Sequence, residues 1–308
     1  VEARISPLIP DYEDPEFVIE DAEAPMETRI IHELLPPVSE WTVDLGCGYG
    51  RLSGILAKKS RNLVLVDYSM TGMRRARQRM LDEGLSAYFL LADVSHLPFR
   101  SGSIDTVAMF RVFHHFSDPE TAIREIVRCI RSSGHLIFNY NSSDNAFMML
   151  FWLRHKMKGG NRDQVIPFPL RSGTLRASPE SAKRPIFFQT HRTLRKIMEK
   201  NDLVPSQKNY HSGILGKVKD KSSFLDRTAW TFQTSLVDKW PSRFFFPNNY
   251  VHCRKEGSIE NTEFHGLEDL LVCPVCAGLI SIRNDRIECE KGHRFSIVNG
   301  IYDFRQPS

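Results

Sequence analysis

The stretch Val43-Asp44-Leu45-Gly46-Cys47-Gly48-Tyr49-Gly50-Arg51 runs from an apolar strand into three glycines at alternate positions. Glycines are spaced this way where the backbone must approach another surface closely or adopt φ values that a Cβ disfavours. The dinucleotide fingerprint G-x-G-x-x-G would need its third glycine at 51, where Arg51 stands. A pyrophosphate site for NAD or FAD is therefore not expected. The tighter D-x-G-x-G-x-G turn, followed by a helix, reads as the cradle of a different nucleotide-bearing cofactor.

The downstream spacings agree with that reading. Leu63-Val64-Leu65-Val66 is the continuous apolar run of a parallel strand buried on both faces, and it ends in Asp67, about twenty residues past the glycines, where an acid can grip a ribose diol. Tyr88-Phe89-Leu90-Leu91-Ala92 ends in Asp93 in the same manner. Residues 103–110 read as a fourth strand and 136–140 as a fifth. Between them Asp118 caps a helix with Pro119 at its first position and Ala122, Ile123, Ile126, Val127 and Ile130 on one face, and Ser132-Ser133-Gly134 is expected to stop it. Strand and helix alternating at this pitch predict an α/β fold: a doubly wound, mostly parallel sheet with its ligand at the carboxyl ends of the strands.

With these residues in place, the chain resembles the class I S-adenosylmethionine-dependent methyltransferases. The resemblance implies a seven-stranded sheet and S-adenosylmethionine as cofactor. It places the methionine end at the Gly46, Gly48 and Gly50 loop with Asp44, the ribose at Asp67 and the adenine amine at Asp93. Cys47, Tyr68, Val94 and Arg111 complete the expected cofactor pocket. Arg111-Val112-Phe113-His114-His115-Phe116 follows the fourth strand, so His114 and His115 are the candidate bases for an acceptor that must lose a proton. No Asn-Pro-Pro-Tyr stands there, which disfavours methylation of an adenine amine in the manner of DNA methyltransferases.

A second signal lies near the end of the sequence. Cys273-Pro-Val-Cys276 is followed after twelve residues by Cys289 and after three more by His293. Three thiolates and an imidazole in two chelating pairs fill a tetrahedral shell, the pattern of a closed structural zinc site, whereas a redox pair needs no matching second pair. Residues 267–304 resemble the zinc ribbon of the small activator subunit of tRNA and protein methyltransferases. The expected organisation is a methyltransferase domain over 1–256 with an insertion over 141–189, a linker over 257–264 and a zinc-ribbon domain over 265–308. Cys47, Cys129 and Cys253 are scattered and read as isolated thiols.

The acceptor is less directly encoded. A net charge of +4 over 308 residues excludes a broadly cationic nucleic-acid coat. The first thirty residues are acidic and Pro-rich, with no signal peptide or membrane span, so a cytoplasmic location is expected. The insertion opens with eight consecutive apolar residues, Ala146–Leu153, which suit either a helix packed beneath a lid or a hydrophobic acceptor channel or peripheral membrane contact with a basic rim. Arg154 to Lys200 holds twelve Lys/Arg against three Asp/Glu, which favours an anionic acceptor. Phe168, Phe187 and Phe188 interleave with that charge, while Trp240 and Phe244–Phe246 precede a final antiparallel strand at 250–253. Residues 265–308 carry five Lys/Arg against six Asp/Glu, a poor phosphate-binding balance. A small-molecule or lipid-like acceptor is thus expected ahead of RNA, and a cofactor-binding scaffold without turnover is the third reading.

Overall fold

The computed structural model describes residues 24–157, 159, 171–175, 186–212, 247–258, 263–283 and 285–307. Five parallel strands form its centre: β1 (Ser39–Leu45), β2 (Ser60–Asp67), β3 (Tyr88–Leu91), β4 (Ile104–Met109) and β5 (Ile130–Asn141), in the order 3-2-1-4-5. Val43 of β1 registers with Val64 on one side and Val107 on the other. Two antiparallel strands follow, β9 (Asn248–Lys255) against β5 and β8 (Leu203–Ser212) outside it. Six of these seven fall on the runs read from the sequence, and β8 stands as the seventh that the resemblance implies.

The sheet does not end there. β13 (Ile301–Asp303) lies parallel to β3, with Tyr302 opposite Leu90, and β12 (Arg294–Val298), β11 (Arg286–Cys289) and β10 (Ile280–Arg283) continue as an antiparallel meander to make eleven strands. The expectation of a seven-stranded sheet with a separate small ribbon is corrected accordingly. An uncovered β3 would leave a row of unpaired backbone groups. β13 pairs with that row, and beyond it Phe304 N donates to Leu91 O at 2.8 Å. Arg100 N to Leu270 O, Val272 N to Pro98 O and Trp41 Nε1 to Phe264 O tie the preceding segment to the same edge.

Alternating strand residues feed two cores, as a sheet buried on both faces requires. Leu63 and Leu65 pack with α1 (Ala24–Leu34), α2 (Ser53–Ala57) and α3 (Met70–Asp82) through Ile30, Leu56, Met73 and Met80. Val64 and Val66 face the other core, with Ile123 and Ile126 of α4 (Pro119–Cys129), Leu194 of α6 (His191–Lys200) and Leu267 of α7 (Leu267–Leu270). Asp118 caps α4, accepting from Thr121 N at 3.1 Å.

Two expectations about the middle of the chain are revised. Ser132-Ser133-Gly134 does not stop α4, because β5 begins at Ile130 and the three residues form an irregularity inside it, with Ser133 at φ 65° and the register shifting between Ile104 and Thr106. Gly134 is there for close approach: a Cβ would fall 2.8 Å from the Asp105 carbonyl. The apolar run does become a helix, α5 (Ala146–Met157), capped by Asn145, which accepts from Met148 N at 2.9 Å. It is not packed beneath a lid on all sides, since Met148 is buried while Met149, Leu150, Phe151, Leu153 and Met157 are exposed. β6 (Gly173–Leu175) and β7 (Ile186–Phe188) form a separate antiparallel pair. Phe168, Trp240 and Phe244–Phe246, with much of the basic segment and of the 257–264 linker, lie outside the described residues. No helix among the described residues is long and apolar enough to cross a membrane.

Candidate functional site

β1, β2 and β3 are neighbours, so Asp44, Asp67 and Asp93 stand at or just beyond three adjoining carboxyl ends. Asp44 is buried and accepts a hydrogen bond from Ser53 Oγ at 2.6 Å. Burial, with the charge of Asp67, holds its carboxyl up at about 7, against the lowering effects of the Ser53 hydrogen bond and Arg51. Asp67 fastens the glycine loop to β2: Oδ2 accepts from Gly48 N at 2.7 Å and Oδ1 from Ser69 N at 2.9 Å. Gly46 has φ +73°, and a Cβ there would lie 2.2 Å from Val112 Cγ2, whereas one on Gly48 would meet nothing within 4 Å. Open space therefore adjoins the loop at Gly48, beside two mutually repelling carboxyls. Burial, then the charges of Asp67 and Asp44, push the Cys47 thiol well above its ordinary range, so it stays protonated.

Asp93 shapes its own turn, accepting from Ser95 N at 2.8 Å, and Val94 packs on the core. Tyr68 is braced from the end of the chain. Arg305, two residues beyond β13, donates to Tyr68 O at 3.1 Å, sits 5.7 Å from the centre of its ring and pairs with Asp303 at 2.7 Å.

At the β4 and β5 ends, Arg111 adopts φ 62°, and its N–H donates to Asn139 Oδ1 at 2.5 Å. Its Nε donates to Glu27 Oε1 at 3.3 Å, and the fully buried Glu27 also binds Arg51 at 2.6 Å and accepts from Tyr250 at 3.2 Å. The acidic, Pro-rich start of the chain concealed Glu27, but a signal existed: Glu27, Ile30, Ile31 and Leu34 share one helical stripe, so a carboxylate stands in an apolar face.

His114 and His115 follow β4 on a short 3₁₀ turn, with ring centres 4.2 Å apart. Burial, aided by His115 and Arg111, lowers His114 to about 3, and its Nδ1 is buried with no hydrogen-bond partner among the described residues. Nearby is a group that the sequence did not point to. Tyr140 Oη and His191 Nδ1 lie 2.5 Å apart, His191 N donates to Asp144 Oδ2 at 2.9 Å, and Asp144 Oδ1 is 3.8 Å from His191 Nε2. Phe113 sets an edge against the Tyr140 ring, joining this trio to the histidine turn.

The cluster at the far end is assembled. The candidate ligand atoms of Cys273, Cys276, Cys289 and His293 all lie within 4.8 Å of one another. Cys276 and Cys289 Sγ are 3.7 Å apart, and His293 Nδ1 is 3.6 and 3.2 Å from Cys273 and Cys289. A tetrahedral zinc with bonds of about 2.3 Å to sulfur has S···S edges of about 3.8 Å, so the donor set fits the ion.

Residues 43–138 match the family described as "Methyltransferase domain". An uncharacterised chloroplastic methyltransferase of Arabidopsis thaliana is 34% identical over 99 residues, 30% of this chain and 28% of that one. A ubiquinone biosynthesis O-methyltransferase of Ralstonia nicotianae is 28% identical over 125 residues, 37% of this chain and 52% of that one. The chain thus spans about half or less of the length of these curated relatives. Among solved structures, a putative S-adenosylmethionine-dependent methyltransferase from Listeria monocytogenes superposes with TM-score 0.54 at 12% identity, covering 76% of this chain and all of that one. One from Methanosarcina mazei gives 0.53 at 17%, covering 74% and 98%. At these identities the likeness is one of fold.

Proposed function

We propose that the chain is a class I, S-adenosylmethionine-dependent enzyme that methylates a small-molecule or lipid-like acceptor, a reading supported by the methyltransferase-domain match over residues 43–138. S-adenosylmethionine, when bound, supplies a methyl group already activated by its sulfonium. The residues fit it: the open space beside Gly48 admits the ligand, and the Asp44 carboxyl, raised to about 7 by burial and then by the charge of Asp67, favours one that carries positive charge. In this reading the Gly46–Gly50 loop and Asp44 hold the methionine end, Asp67 the ribose hydroxyls and Asp93 the adenine amine, with Cys47, Tyr68, Val94 and Arg111 around them. The protein's remaining work is to align the nucleophile and keep water out.

A proton leaving the acceptor needs a group that can hold it. His114, at about 3, accepts a hydrogen bond but does not store a proton near neutral pH. His115 and the Tyr140–His191 pair are the better candidates, at the same carboxyl edge. The zinc reading is that Cys273, Cys276, Cys289 and His293 hold one structural ion with no open position for chemistry.

One observation carries the acceptor class: α5, apolar through eight consecutive residues, starts five residues beyond the last residue of β5 and exposes large apolar side chains at the edge where an acceptor must arrive. Relatives named for ubiquinone biosynthesis support such an acceptor. The test is methyl transfer from labelled S-adenosylmethionine into a lysate separated into lipid, protein and RNA fractions. Label in the lipid or small-molecule fraction is expected. Label in RNA alone, with binding that weakens steeply as salt rises, overturns the choice, and no S-adenosylhomocysteine with any acceptor would leave a scaffold.

A further inference from the structure

α5 has two opposite sides. Successive residues turn by about 100°, so Met149, Leu150, Leu153 and Met157 fall within an arc of roughly 100°, with Met148 on the far side. Met148 is 2% exposed, whereas the four side chains of the arc are 48%, 65%, 48% and 80% exposed; Phe151, 39% exposed, lies outside the arc. Arg154 and Lys156 flank the arc toward its carboxyl end, and Lys156 stands 5.8 Å from the ring centre of Trp152. Large apolar side chains grouped in solvent and rimmed by polar ones mark an interaction surface rather than the scattered exposure normal for a soluble protein.

We infer that this stripe lies on an anionic lipid bilayer. Twelve residues give a helix about 18 Å long, too short for a hydrocarbon core of about 30 Å but suited to lying in the headgroup boundary with its apolar side down. Charge selects this occupant over an apolar protein groove. Cations border the stripe, and the sequence from Arg154 to Lys200 carries twelve Lys/Arg against three Asp/Glu, which complements acidic headgroups. Placement agrees, because Asn145 starts the helix one residue after Asp144 of the Tyr140–His191–Asp144 group. A lipid acceptor leaving the bilayer would arrive beside that group. The purpose assigned to the contact rests on the lipid-like acceptor proposed above, but vesicle binding needs neither cofactor nor acceptor, so the two ideas fail separately.

The experiment is co-sedimentation of the full chain with vesicles of phosphatidylcholine alone and vesicles enriched in phosphatidylglycerol. Binding is expected to the anionic vesicles, weaker to the neutral ones and weakened by salt. Leu150→Asp with Leu153→Asp should reduce it by about tenfold or more, and Arg154→Glu with Lys156→Glu should abolish the preference for phosphatidylglycerol. Thermal unfolding and cofactor affinity should stay at the parent values in both double variants. The inference is overturned if the parent binds neither vesicle, if the leucine variant binds as the parent does, or if that variant unfolds at lower temperature because the chain itself covers the stripe. A parent dimer that dissociates on the leucine substitutions would assign the face to a second copy and also overturn it.

Discussion

If Asp44 holds the methionine end of the cofactor, as proposed, cofactor affinity should rise with pH. Burial raises its carboxyl from 3.8 to about 7, so between those values the folded protein holds a proton that the unfolded chain has released. Stability from this group is therefore greatest below pH 4 and is lost as pH rises toward 7, by ~4 kcal/mol at ~1.36 kcal/mol per pKa unit. A cationic ligand reverses the balance, because it binds the ionised form. If ligation returns Asp44 to an ordinary carboxylate range, affinity follows the ionised fraction of the free protein, which rises about tenfold between pH 6 and pH 8. Titration calorimetry with S-adenosylmethionine across that range reads it directly. The ligand's amino group also titrates, near 7.7–8.0, but equally for parent and Asp44→Asn. The ratio of their affinities should therefore change about tenfold while the ligand's own contribution cancels. Asp44→Asn, which keeps an oxygen for Ser53, should also lose the acid-to-neutral decline in stability. Parallel pH profiles for the two proteins would refute the assignment of the titrating group to Asp44.

Asp67→Ala removes both the expected ribose acceptor and the tie to Gly48 N, and should weaken S-adenosylmethionine binding by ~1.5–3 kcal/mol; unchanged calorimetric affinity would displace Asp67 from the cofactor site. Gly46→Ala should abolish cofactor binding and lower the unfolding midpoint, with Val112→Ala restoring it only in part, since the clash is relieved but the φ of +73° remains. Glu27→Ala removes the buried carboxylate that Arg51, Arg111 and Tyr250 share and should cost ~1–3 kcal/mol in denaturant unfolding; a loss below ~0.5 kcal/mol would show that these contacts do not hold the fold. Elemental analysis should find one zinc per chain, lost in Cys289→Ser. Chelation and Arg305→Ala should each weaken cofactor binding through Tyr68, and metal-free protein with full thermal stability would remove the zinc reading.

The strand ends were legible because parallel strands buried on both faces must be continuous apolar runs, and the acids that close them stand out against those runs. Asp118 and Pro119 were legible for a local reason, a cap and a preset φ. What escaped depends on partners distant in sequence. Ser132-Ser133-Gly134 has the composition of a turn, and only the Asp105 carbonyl crowding Gly134 reveals a strand. Tyr140 and His191 are 51 residues apart and meet because β5 and the start of α6 converge at one edge. The two sides of α5 cannot be separated by composition, since both are apolar, and their difference is set by what the rest of the chain leaves uncovered.

The C-terminal segment shows most clearly how a local spacing pattern can mislead about the whole. Its cysteine and histidine spacing pointed to a self-contained metal-braced unit, and the four side chains do converge. Yet a small hairpin pair buries too little to stand alone, and β3 presents an edge that must be covered. Both needs are met when β13 pairs with β3, and Leu267, Leu270, Ile287 and Phe295 join the core beneath the central strands. The consequence reaches the cofactor side. β3 leads into Asp93, the turn after β13 carries Arg305, and Arg305 holds Tyr68 at the end of β2. The cysteine cluster is thus joined by strand pairing through β12 and β13 to Arg305 and the wall of the proposed cofactor pocket. A structural metal at these four side chains, as proposed, would brace that route, and its loss should register first as weaker cofactor binding rather than as altered chemistry.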